Sequence, residues 1–136
     1  MRRSLLLAYQ LLTGLSDSST GLLLIFAPLL TLRLMGLQAA SETVPFLSYI
    51  GAFVLSVGIA CLYGGLLVLR NSPVAKLETV WMLTGITRSM VALYVGITIV
   101  EGAMARGWST VALTDGAIAV FQFVGLARGW LHDTRS

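Results

Sequence analysis

The apolar positions of the sequence fall into four long runs, at about 4–30, 45–69, 77–103 and 108–131. Each can supply a bilayer-crossing helix, which takes about 20 mostly apolar residues. In lipid only helices and closed barrels satisfy their backbone groups, and barrel strands would alternate in segments of about 10 residues. These runs do not alternate, so the chain is read as all-α. Polar and turn-forming residues mark the breaks. Pro28 and the stretch 33–44 separate the first two runs, with Met35, Gly36 and Leu37 lying flat at the interface in this reading. Arg70, Asn71, Ser72 and Pro73 make the second break, and Arg106 and Gly107 the third. Short connections force antiparallel neighbours. The pattern predicts one transmembrane domain over 1–136, an up-down four-helix bundle.

Composition sharpens this. Hydrophobic residues make up 57% and charged residues 11%, with a mean hydropathy of +0.88. Soluble domains carry roughly 25% charge, so an ordinary soluble enzyme and a disordered tail are excluded. The net charge of +3 comes without a basic run, which argues against a nucleic-acid partner. Arg2, Arg3, Arg70, Lys76, Arg128 and Arg135 flank the runs on one side, and only Arg33 and Arg106 on the other. The side richer in Lys and Arg faces the cytoplasm, so the expected location is a bacterial inner membrane with both termini cytoplasmic. Arg2-Arg3 before an apolar run also fits a secretory signal, but the run is too long, contains Gln10 and Asp17, and lacks a small-x-small cleavage site.

A repeat is visible within the runs. Leu12-Thr13-Gly14-Leu15-Ser16-Asp17 matches Leu83-Thr84-Gly85-Ile86-Thr87-Arg88. Gly51-Ala52 with Gly64 matches Gly116-Ala117 with Gly129 at the same separation. This suggests two helical hairpins of one orientation related by an axis along the membrane normal; chance recurrence of common membrane residues is the rival.

Three ionisable residues fall deep inside runs. At 1.5 Å per residue Asp17 lies roughly 20 Å, Arg88 roughly 16 Å and Asp115 roughly 24 Å from the cytoplasmic ends. Such groups are costly in hydrocarbon and normally find a partner in the bundle interior. An Arg88 clasp on Asp17, Asp115 or both follows. One reading is a structural staple that fixes helix order. The other is a site, because two carboxylates around one guanidinium leave a charge that could take a proton, a cation or a polar headgroup. Gln122, seven residues after Asp115, shares its face; Thr84, Thr87 and Thr114 flank the charges, and Ser16, Ser18, Ser19 and Thr20 crowd around Asp17.

Small residues line the second run in two ways. Ser48, Ala52, Ser56, Ala60 and Gly64 recur every four residues, and Gly51, Gly58 and Gly65 every seven. Such lines let helix backbones approach closely, within the bundle or against another protein. Trp81, Trp108 and Trp130 fall near run ends, as an aromatic belt requires. Tyr63 and Tyr94 lie deeper and are assigned to packing, and Cys61 acts as a small apolar side chain. Glu42, Glu78 and Glu101 lie near run ends and are expected to be solvated.

No catalytic or metal constellation is present. A lone Cys61 excludes a disulfide or CxxC pair, and one His132 near the end of the sequence argues against a haem held by two histidines. The layout resembles the DoxX-like and DUF4345-like small bacterial membrane proteins. The resemblance rests on four runs in this length, on Gly21 with Ala27-Pro28, on Gly51-Ala52-Phe53 followed by Gly58, and on Arg88. It implies an inner-membrane bundle without a settled activity, some relatives being partners in quinone-linked sulfur oxidation. The expected function is a non-catalytic membrane subunit or interaction module, docking on other subunits or on itself. The alternatives are a proton- or ion-coupled small-solute transporter acting as a homodimer, and a redox accessory binding a quinone or lipid. No other cofactor is expected.

Overall fold

The computed structural model describes residues 1–133 and is all-helical over them. Its α-helices are α1 (Arg3–Phe26), α2 (Pro28–Leu34), α3 (Val44–Leu69), α4 (Val74–Val100) and α5 (Ser109–Ala127), with 3-10 turns at Ser41–Thr43 and Arg106–Trp108. Three segments are long and apolar enough to cross a membrane: Ser41–Leu69, Val74–Val100 and Arg106–Ala127. Although 24 residues long, α1 is not among them, because Asp17 and the hydroxyls around it dilute its leucines.

The helix limits differ from the hydropathy limits for local reasons. The first run does not continue to residue 30. Ala27 leaves helical geometry (φ −140°, ψ 58°), and Pro28 opens α2 at its first position, where a missing N–H costs nothing. At the far ends α4 and α5 stop earlier than their runs. Gly102 and Gly129 adopt φ of +75° and +66°, a region nearly closed to side chains. Ala103 N–H then bonds Thr98 O at 2.9 Å, and Trp130 N–H bonds Gly125 O at 3.0 Å. Both contacts are the chain reversal that ends helices at a C-terminal glycine. Hydropathy is blind to φ, so the runs read through these stops.

The chain forms two compact units, Ser4–Leu69 and Met1–Arg3 with the chain from Arg70 on. The first is a hairpin of α1 and α3 with α2 between them. Glycines set its helix contact. A Cβ at Gly14 would come within 2.7 Å of the Leu62 side chain, one at Gly21 within 2.5 Å of Leu55 N, and one at Gly51 within 2.7 Å of Leu24 Cβ. Gly58 lies against Ser18 and Gly64 against the Gln10 amide. Ser48 Oγ donates to Ile25 O at 3.3 Å across the same contact.

The second unit pairs α4 with α5. Gly125 makes room for the Trp81 and Trp130 rings, at 2.6 and 2.8 Å from where its Cβ would be, and Gly85 faces Phe123. Trp81 and Trp130 both pack against Phe121 at tilted angles, with centroids 5.8 and 5.3 Å away. Trp81 is fully buried, which corrects its assignment to an interfacial belt. Tyr63 and Tyr94, assigned to packing, are instead 49% and 66% exposed.

The two hairpins share one contact register. A shift of 71 residues along α1 and 61 along α3 turns Gly14–Leu62 into Gly85–Phe123, Gln10–Gly64 into Trp81–Gly125, and Gly21–Leu55 into Ala92–Gly116. All three derived pairs are in contact. The offset of 71 along the first helices is the one that relates Leu12–Asp17 to Leu83–Arg88, while Gly64 corresponds in contact to Gly125, one turn before the Gly129 that spacing suggested.

Candidate intramembrane polar site

The polar row of the second unit is built on α4 and α5. Thr84 and Arg88 lie one turn apart on α4, and Asp115 and Gln122 two turns apart on α5, so both pairs face along one seam. Arg88 Nη1 donates to Asp115 Oδ1 at 2.5 Å. The Arg88 side chain is 3% exposed and that of Asp115 20%. Two turns along, Gln122 Nε2 donates to Thr84 Oγ1 at 2.8 Å. Thr84 spends its own proton on Val80 O at 2.7 Å, so it can only accept from the glutamine. That fixes the amide orientation and leaves Gln122 Oε1 buried without a hydrogen-bond partner, facing the bare backbone of Gly85 at 3.5 Å from its Cβ position. Such an acceptor is costly to bury.

Among the sequence-predicted residues, Arg88, Asp115 and Gln122 thus belong to one seam, with Thr84 joining as the partner of Gln122. Asp17 lies on α1 in the other unit and is half-buried there. Around it, Ser18 Oγ is buried without a hydrogen-bond partner, while Ser16, Ser19 and Thr20 are exposed. Gln10, 1% exposed in the α1–α3 contact, is a contact residue that the hydropathy pattern does not mark; its signal in the sequence is a lone amide in a leucine run.

The two small-residue lines of α3 have separate fates. Gly51, Gly58 and Gly65 are buried, and all face α1. The other line turns away in its middle: Ala52 and Ser56 are exposed, Ala60 is half-buried and Gly64 is buried. Helical geometry explains the split. A spacing of four advances about 40° per step and winds round the helix, whereas a spacing of seven lags by only about 20°.

Other chemistry is sparse. Among the described residues no three His, Cys, Asp or Glu side chains converge as a metal site would require. His132 Nε2 pairs with Glu78 Oε1 at 2.9 Å on the exposed side of the second unit. An open apolar depression of about 390 Å³ runs along α4 past Ala92, Gly96 and Val100 to Glu101, away from Thr84 and Gln122. No family model, curated protein or solved structure matches the chain.

Proposed function

We propose that the chain is a non-catalytic integral-membrane subunit or interaction module, folded as a four-span bundle of two repeated hairpins. The observation that carries this reading is the direct contact of the buried charges. Arg88 and Asp115 meet at 2.5 Å, a contact that ties α4 to α5 and gives the buried charges a structural use, so that recognition falls to the outward faces. Asp17 stands in this proposal as a further intramembrane charge, on the sequence argument of shared depth. Ala52, Ser56 and Ala60 form the outward small-residue face, supported by the exposure of the first two. The location is the bacterial inner membrane with both termini cytoplasmic, as the flanking Lys and Arg favour. The DoxX-like resemblance agrees with this role and names no partner.

The test is gentle detergent extraction from the native membrane, followed by mass spectrometry of what co-purifies. Other membrane subunits in fixed ratio are expected. Copies of this chain alone, with ion-driven solute uptake after reconstitution, would overturn the reading in favour of the transporter. One observation favours that second reading: Asp115 keeps a fifth of its side chain exposed, and a partly open acid is what proton or cation uptake would use. A quinone- or lipid-binding accessory would instead use the orphaned Gln122 Oε1 as acceptor for a ligand O–H or N–H.

A further inference from the structure

The shared register of the hairpins gives α1 an internal reference. Its outward positions Leu12, Leu15, Ser16, Ser19 and Thr20 correspond to Leu83, Ile86, Thr87, Met90 and Val91 of α4, and all ten are exposed. On α4 this face is what lipid requires. It is apolar but for Thr87, whose hydroxyl donates to Leu83 O at 3.0 Å on its own helix. On α1 the same positions carry three hydroxyls in mid-helix. Helices of this chain readily back-bond such groups, as Thr13 does to Tyr9 O and Thr98 to Tyr94 O. Among the described residues no hydrogen bond engages the hydroxyls of Ser16, Ser19 or Thr20. Lipid tails offer such groups no partner.

We propose that this face of α1 is a self-association surface on which α1 of a second copy packs in parallel. The inference rests on α1 crossing the membrane, as in the proposed function. The chemistry selects the occupant. A hydroxyl both donates and accepts, so a face of hydroxyls is complementary to itself. A two-fold axis brings identical residues together, and copies inserted the same way present parallel α1 helices. Ser16, Ser19 and Thr20 of the two chains then bond across the axis, with Leu12 and Leu15 packing beside them.

The full chain with Cys61→Ala, in native membranes, tests this. S16C, S19C and T20C, oxidised one at a time, are expected to give a disulfide-linked species of twice the chain mass. Its yield should exceed tenfold that of the α4 controls T87C, M90C and V91C. Equal yields on both helices, no cross-link on α1, or an adduct of another mass overturns the proposal. A triple variant S16A/S19A/T20A keeps good helix formers and should lower the dimer fraction in mild detergent at least tenfold; an unchanged fraction also overturns it. S4C and Q38C, probed with an impermeant thiol reagent, separate the two ideas. Labelling from the same side removes the four-span reading and this proposal together. Labelling from opposite sides without cross-links removes the self-association alone.

Discussion

Arg88 is a buried cation of the second unit, 3% exposed and paired with Asp115. Losing a guanidinium strands a buried carboxylate, and breaking a buried pair typically costs about 3–5 kcal/mol. Arg88→Ala is therefore expected to lower the melting temperature in detergent more than Asp115→Asn or Asp17→Asn does. A neutral Arg88→Ala would show that the pair does not hold the hairpin. The Gln122–Thr84 contact makes a subtler prediction. Thr84→Val removes the only acceptor described for the buried amide, at a cost of about 1–3 kcal/mol. Gln122→Leu leaves Thr84 bonded to Val80 O and also deletes the orphaned Oε1, so it should cost less. Thr84→Val with Gln122→Leu should then be milder than Thr84→Val alone. Thermal melts of the three variants check the order, and a Gln122→Leu at least as damaging as Thr84→Val contradicts it.

At the scale of the element, glycine placement decides what each helix face does. Gly51→Leu with Gly58→Leu drives side chains into Leu24 and Ser18 and is expected to abolish folding of the first hairpin, read as loss of monodisperse protein in detergent. Ala52→Leu with Ser56→Leu points into open space and should fold normally while losing any partner that docks there. Equal misfolding of both variants would mean that this face is covered. Much of this was legible beforehand. A line of glycines every seven residues stays on one face by geometry alone, and all four long helices begin within a few residues of their apolar runs. The other ends were illegible to hydropathy, since Gly102 and Gly129 act through φ and Pro28 through a missing donor. Trp81 was misplaced because a tryptophan at a run end suits a belt equally well; only the gap at Gly125 on another helix shows where the ring goes. The Arg88–Asp115 pair was readable from cost and depth, but the Thr84–Gln122 contact needed the register between α4 and α5.

For the whole molecule the testable quantity is orientation. With Cys61 removed, a cysteine at position 40 is expected to react with an impermeant reagent only from outside the cell, and one at Ser72 only from the cytoplasmic side. Reaction of position 40 from the cytoplasm alone would invert the topology. A molecule with 11% charge leaves few features to orient it, so moving Arg70 and Lys76 to the opposite loops should produce a mixture of orientations.

The close helix contact of the first hairpin also bears on which insertions and deletions the gene can tolerate. One residue added within a helix turns everything beyond it by about 100° and moves it about 1.5 Å. Added between Gly51 and Gly58, it would swing Gly58 and Gly65 off the α1 face and bring side chains against a backbone that has no room for them. The same residue added at 38–40, where the chain is neither helix nor buried contact apart from the half-buried Ala39, would be absorbed by the connection. Length variation among natural versions of this chain should therefore collect in that connection and be nearly absent from α3. A deep insertion scan scored by membrane expression would display the same contrast, residue by residue.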